Sequence, residues 1–270
     1  MPDERAIIQA STRVVTRDLL VAQLTELGLT DGALVIVHSS LSKLGWVAGG
    51  AQTVVESLLL AVGNTGTLVM PTHSGQLSDP AQWENPPIPQ PWIDAARDAL
   101  PAFDTRLTPT RQMGQIVDCF RIHVDTVRSN HPMMSFAANG PAAAALIDGH
   151  PLSPALGEGS PLSRLYDLDA QVLLLGVNHA NNTSLHLSEH RATWASKADS
   201  DQAAPITVDG RRQWVTYRDL DHDSDDFERI GHAFAATGAQ LAGPVGHTTA
   251  TLCSQRAVVD FGVHWMQSNR

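Results

Sequence analysis

The chain has 270 residues, enough for one large domain or two small ones at roughly 100–200 residues each, and ample for a buried core. Apolar residues make up 43% and charged residues 17%, which excludes a charge-driven disordered chain, and no apolar run reaches the ~18 residues a membrane helix needs. The net charge of -10, from 28 acidic against 18 basic residues, repels nucleic-acid phosphate and anionic membranes; it favours a cationic small molecule or simply keeps the surface solvated.

Met1-Pro-Asp-Glu-Arg5 lacks the basic-then-apolar order of a secretory signal, so a cytoplasmic protein is expected. Thr16 precedes Leu19, Leu20, Leu24 and Leu27 at helical spacing and Gly28 follows, which predicts a capped helix from Thr16 to Leu27. Ala33-Leu-Val-Ile-Val-His38 is a continuous apolar run of the kind buried on both faces of a sheet. A helix over Gln52 to Val62 and a second buried strand over Thr67 to Pro71 complete a βαβ unit, which puts the loops after both strands at one end of a sheet. Residues 75–111 hold Pro80, Pro86, Pro87, Pro89, Pro91, Pro101 and Pro109, and are expected as a covering loop or surface excursion with at most one short helix near Trp92 to Leu100.

Ser160-Pro161 opens another helix, and Gln171-Val-Leu-Leu-Leu-Gly-Val177 is a third buried strand leading through Asn178 to Thr183 into a helix over 184–195. Asp209-Gly210 marks a hairpin between Pro205–Val208 and Arg212–Tyr217. A helix over Asp225 to Thr237 and an apolar segment of unassigned type over Ala257 to Met266 follow. Cys119 and Cys253 match no metal or redox spacing and are expected as reduced core thiols. With no repeat and no clear linker, the expectation is one α/β domain over 1–270.

The densest chemistry lies at Asn182-Thr-Ser-Leu-His-Leu-Ser-Glu-His190, where a strand hands over to a helix. His186 and Glu189 are three apart and share a helical face, placing a titrating imidazole beside a carboxylate. The same letters, His186-x-x-Glu189-His190, match an inverted zinc-peptidase motif, for which Asp260 is the available third ligand. His38-Ser-Ser-Leu-Ser42 leaves the first strand with hydroxyl and N–H groups suited to phosphate or thioester, or to capping the next turn. Arg128-Ser-Asn-His-Pro-Met-Met-Ser135 gathers a cation, hydroxyls and a histidine. No Gly-x-Ser-x-Gly elbow is present.

In order, His38-Ser-Ser-Leu-Ser42 with Gly49-Gly50, Thr67-Leu-Val-Met-Pro-Thr72, Thr110-Arg-Gln-Met-Gly114, Arg128-Ser-Asn-His-Pro132, Ser160-Pro-Leu162, Leu173-Leu-Leu-Gly-Val177, Asn182-Thr-x-x-His186 with Glu189, and Asp221-His222 resemble the aminoglycoside 3-N-acetyltransferase family from about Thr16 to Trp265. The resemblance implies a mixed α/β fold distinct from the common N-acetyltransferase fold. It implies acetyl-CoA as co-substrate, no metal, and an aminoglycoside or related cation as acceptor. It sets coenzyme A against Ser39, Ser40, Leu41 and Ser42, with Met113, Arg128 and Ser129 around it and Thr72 near the acetyl group. His186 corresponds to the catalytic histidine and Glu189 to its carboxylate neighbour; Asp221 corresponds to an acid that contacts the substrate or assists the histidine, and Glu189, Asp221 and Asp219 are expected to bind the cationic substrate. His179-Ala180 departs from many relatives between the glycine and the asparagine.

The expected reaction is direct acetylation of the 3-amino group of the deoxystreptamine ring, with His186 as general base. The alternatives are a zinc hydrolase using His186 and His190 and a non-catalytic amine- or sugar-binding protein.

Overall fold

The computed structural model describes residues 4–270. Helix α1 (Glu4–Ala10) precedes α2 (Arg17–Leu27), whose first turn is capped by the Thr16 hydroxyl accepting from the Leu19 N–H and whose end is turned by Gly28 at φ 112°. Strand β1 (Leu34–Ser39), α3 (Gly50–Val62) and β2 (Thr67–Pro71) form the expected βαβ unit, with β1 and β2 paired in parallel from Leu34 opposite Thr67. The Pro-rich stretch contains one short helix, α4 (Ile93–Ala99), among single 3-10 turns.

The next elements carry weaker local signals. Helix α5 (Gln115–Phe120) is followed by β3 (Val127–Arg128) and β4 (Phe136–Asn139), a pair that the alternation of so short a segment does not reveal. Then come α6 (Ala143–Ile147), α7 (Pro161–Asp167) with the Ser160 cap, β5 (Gln171–Leu175) and α8 (Leu185–Arg191), which stops four residues short of the expected end. The hairpin is longer than its turn signal indicated: β6 (Asp199–Val208) and β7 (Arg211–Leu220) pair along their full lengths about Asp209 (φ 49°) and Gly210 (φ 73°). Helix α9 (Phe227–Ala235) leads to a second hairpin, β8 (Gln240–Val245) and β9 (Thr248–Ser254), and to α10 (Gln255–Asn269), which gives the unassigned apolar segment its type. No described helix is long and apolar enough to cross a membrane.

Seven strands form one sheet in the order β3-β4-β2-β1-β5-β9-β8, with β1 parallel to both of its neighbours and the outer pairings antiparallel. Alternate residues of β1 enter opposite cores. Val35 and Val37 pack with α2, α3 and α5, while Ile36 packs with α6 to α10. Complete burial of such side chains is worth about 1.5–3 kcal/mol each, which explains why the three central strands are apolar without alternation.

The topology also collects loops. β1, β2 and β5 run the same way, so Ser39, Thr72 and Gly176 all emerge at their C-terminal ends. β4 runs back from that end, since Phe136 opposes Pro71, and β3 runs toward it, which brings Arg128, Ser129 and Ser135 there as well. Gly176 is required for this gathering: at φ 73°, a Cβ would lie 2.8 Å from Lys43 Cβ, and the adjacent Leu175 carbonyl accepts the Ser40 N–H at 2.9 Å. Gly176→Ala is expected to lower stability by about 1–3 kcal/mol through the left-handed backbone and the contact with the 41–44 turn, measurable by denaturant unfolding.

Candidate active site

Helix α8 starts where the chain has just left β5. Asn178 and Asn182 turn it by accepting the Ala180 and Ser184 N–H groups, and Lys197 closes its far end by donating to the carbonyls of Glu189, His190 and Ala192. On the inward face His186 Nδ1 and Glu189 Oε2 are 2.5 Å apart. Glu189 has no solvent exposure. Its other oxygen accepts from Arg270 at 2.7 Å and from the Asp223 N–H at 3.0 Å. Burial works against the charge of Glu189, but His186, Arg270 and the Asp223 amide together hold it below the ordinary carboxylate range. A carboxylate kept ionised requires the proton on His186 Nδ1, so Nε2 is the basic nitrogen, and it makes no hydrogen bond among the described residues.

The ring of His186 is boxed in by the edge of His222 and by Phe227, with centroids 4.9 and 4.8 Å away. His222 is itself held by His190 through a 3.0 Å contact between their Nε2 atoms. Burial, then His186 and His190, depress the His222 pKa to about 3. His38 and His73, from the ends of β1 and β2, lie close enough to His186 for its charge to lower their basicity further, after burial has taken the larger share. The site therefore carries several neutral imidazoles around one carboxylate-linked ring.

Beside it lies a second network. Arg128 is 8% exposed, and among the described residues its guanidinium pairs with no carboxylate. It donates to the Thr72 and Ser135 hydroxyls at 3.1 and 3.0 Å and to the carbonyls of Thr108 and Thr72 at 2.6 and 2.7 Å, and stands over the Phe103 ring. Burial, aided by Arg121, lowers its pKa to about 10, so it remains a cation at neutral pH.

A family model described as aminoglycoside 3-N-acetyltransferase matches residues 36–267. The chain belongs to the aminoglycoside 3-N-acetyltransferase family. Its members are acyltransferases. The SPbeta prophage-derived aminoglycoside N(3')-acetyltransferase-like protein YokD of Bacillus subtilis is 41% identical over 266 residues, covering 98% of this chain and 97% of that one; its crystal structure superposes with a TM-score of 0.96 over 98% of each chain. The structure of AAC-IIIb in a binary complex with CoASH has a TM-score of 0.84 at 29% identity, covering 95% of this chain and 97% of that one. AAC-VIa bound to sisomicin has a TM-score of 0.86 at 30% identity, covering 96% and 99%.

Within this family member, the residues singled out by sequence do not all stand in the same relation to His186. Ser39 presents a buried hydroxyl with no partner, and Ser40 and Ser42 face each other at 3.4 Å on the same turn. Leu41 and Met113 are half-buried and pack against the core on the α2–α3 side. The Ser129 hydroxyl accepts from the Phe136 N–H and pairs with His150 Nδ1 at 2.9 Å, and the Thr72 hydroxyl is fully buried within the Arg128 network. Asp219 is buried, accepting from the Ala155 and Leu220 N–H groups at 2.8 and 2.9 Å. Asp221 is exposed, and its side chain makes no hydrogen bond or ion pair among the described residues. The pair His186 and His190 diverges, one toward Glu189 and the other toward His222, and among the described residues no three His, Cys, Asp or Glu groups are placed to hold a metal ion. A surface cavity of about 930 Å³ lies along the β3 edge, lined by Arg106, Arg121 and Arg128 among others, and does not include His186.

Four groups at the site escaped sequence reasoning. His222 stood inside a recognised pair of residues, so adjacency could have found it. His38 and His73 look like ordinary apolar-context histidines, and Arg270 is 81 positions from its partner Glu189.

Acid is expected to destabilise the protein from just below neutrality. His38 and His131 are held near a pKa of about 3 and His150 near about 4, in each case chiefly by burial. The unfolded chain binds these protons at about pH 6.5, so the native state is fully favoured above that value and loses about 1.4 kcal/mol per histidine per pH unit as pH falls toward the folded pKa. Denaturant unfolding between pH 7.5 and 5 should show this decline, with His222 and His73, likewise depressed chiefly by burial, raising the proton uptake on unfolding to about five.

Proposed function

We propose that this chain transfers the acetyl group of acetyl-CoA to the 3-amino group of the deoxystreptamine ring of an aminoglycoside, with His186 as the general base. The observation that carries the reading is the 2.5 Å contact between His186 Nδ1 and a fully buried Glu189, which leaves Nε2 as the one unclaimed basic atom of the ring. An acceptor amine is largely protonated at neutral pH and becomes nucleophilic only as it loses a proton. His186 Nε2 takes that proton, and Glu189 stabilises the imidazolium so formed. Because both Glu189 oxygens are occupied, Glu189 acts on the acceptor through His186 rather than by binding it.

Acetyl-CoA supplies the activated acetyl carbonyl when bound. Four of the eight buried side-chain polar atoms without partners among the described residues support its placement: His38 Nε2, Ser39 Oγ, His73 Nε2 and Ser184 Oγ belong to the strand ends or to the turn entering α8. Ser39, Ser40, Leu41, Ser42 and Met113 would hold the coenzyme on one side, and Thr72, Arg128 and Ser129 on the other. Thr72 does so as part of a rigid array, since Arg128 and Ser135 fix its hydroxyl. The acceptor is a polycation drawn by the net charge of -10 and by the exposed carboxylate of Asp221. Acetylation removes one of its positive charges, and antibiotic resistance is the consequence this reading implies. We place the reaction in the cytoplasm, where acetyl-CoA is available.

Thiol release from acetyl-CoA in the presence of a panel of aminoglycosides tests the reading directly. His186→Ala should remain folded and bind acetyl-CoA while turnover falls by roughly 10²–10⁴, the usual contribution of a positioned base. Near-normal turnover in that variant would overturn the assignment. Asp221→Asn should weaken acceptor binding and flatten its decline with salt, and a chelator should leave turnover unchanged.

A further inference from the structure

The Arg270 guanidinium reaches back from the end of α10 to the dyad. Its side chain is only 9% exposed. Nη1 donates to Glu189 Oε1 at 2.7 Å, Nε and Nη2 grip the two oxygens of Asp226 at 2.8 and 2.6 Å, and Nη2 also donates to the Asp223 carbonyl at 2.7 Å. The planar group stands 4.9 Å from the Trp194 ring centroid. Burial opposes its charge, yet Asp226 and Glu189 push its pKa up, so the cation is permanent.

We propose that Arg270 is a positioning residue for the acetyl transfer, holding Glu189 so that only Oε2 faces His186 and offsetting enough of the carboxylate charge for the imidazole to release its proton. This rests on the function proposed above. With Arg270 and the Asp223 N–H on Oε1, the carboxylate cannot rotate without giving up two hydrogen bonds. Without the guanidinium, the buried anion would have the His186 ring as its only partner able to carry a positive charge, and a protonated ring would hold its extra proton more firmly.

No neighbouring group can replace it. On α8 itself His190 is bonded to His222, which comes from the segment before α9. Lys197 is spent on backbone carbonyls. His38 and His73, at the strand ends, are neutral. Asp223 and Asp226 before α9, and Asp219 at the end of β7, are acids and add to the negative field once the guanidinium is gone. Lysine could keep the charge, but it has no fork with which to span Asp226 and Glu189.

The pH dependence of kcat and KM separates positioning from mere support. In Arg270→Gln, kcat at pH 7 should fall about 10-fold or more with the acetyl-CoA KM little changed, and the acidic limb of the profile should move up by about one pH unit. Arg270→Lys should recover part of the limb position. An NMR titration of the His186 ring in the same proteins gives a readout that needs no turnover: its midpoint should rise in Arg270→Gln. If the parent enzyme acetylates nothing while the midpoint still moves, the proposed function fails and the hold of Arg270 on the dyad stands. An unmoved limb and an unmoved midpoint, with activity falling only as the folded fraction falls, would overturn the proposal. Should Arg270→Gln not fold, Asp226→Asn loosens the same guanidinium from the opposite side and must shift the midpoint in some degree, or the proposal is wrong.

Discussion

A carboxylate with no solvent exposure stays ionised only if its lost hydration is replaced atom by atom, and Glu189 meets that condition with a guanidinium, a backbone N–H and an imidazole. Each partner comes from a different part of the chain: α10, the segment before α9, and α8 itself. Removing one partner of such a buried pair typically costs about 3–5 kcal/mol, so the site and the packing of the helices around it are one construction. The requirement runs both ways. The helices must close for Glu189 to be charged, and Glu189 must be charged for His186 to keep its proton on Nδ1.

The sheet supplies the other constraint. Parallel strands buried on both faces have nowhere to place polar groups except at their ends, and here the ends of β1, β2 and β5 open on the same side. Antiparallel β4 and edge strand β3 then bring the 128–135 segment to the same place. The result is two adjacent polar arrays of opposite character. One is an anion-centred dyad at His186 and Glu189, and the other is a cation-centred cradle in which Arg128 binds hydroxyls and carbonyls. Under the function proposed above, an acyl transfer between an amine and a thioester needs a proton acceptor on one side and fixed dipoles on the other, and the two arrays would supply one each.

The Pro-rich stretch and the β6–β7 hairpin frame these arrays together. The Phe103 N–H donates to the Pro205 carbonyl, Gln82 to that of Asp201 and Arg212 to that of Leu100, while the Thr108 carbonyl is one of the acceptors of Arg128. Prolines keep the stretch from forming strand or long helix, so it can lie along the hairpin and still present carbonyls inward. The stretch is thus tied both to the hairpin and to the Arg128 cradle.

Local signals accounted for much of the framework. The Thr16 and Ser160 caps, the Gly28 stop, the Asp209-Gly210 turn and the unbroken apolar runs of β1, β2 and β5 each act over a few residues, and each produced the element anticipated. His186 and Glu189 were legible for the same reason, since three positions along a helix are neighbours in space. Short β3 and β4 were not, because a strand of two or four residues owes its state to the strands beside it. Nor did any local pattern show that Asp219 is consumed by the Ala155 and Leu220 amides while Asp221, two positions on, is free and exposed. By itself, then, the amino-acid sequence determined the central parallel strands and the imidazole–carboxylate pair, whose causes lie within one turn or one strand. The tertiary structure alone decided which polar groups surround that pair, because Arg270, His222, His38 and His73 reach it only when distant elements pack, and what they meet there sets their charge: burial keeps the three histidines neutral, and the Asp226 and Glu189 carboxylates keep Arg270 a cation.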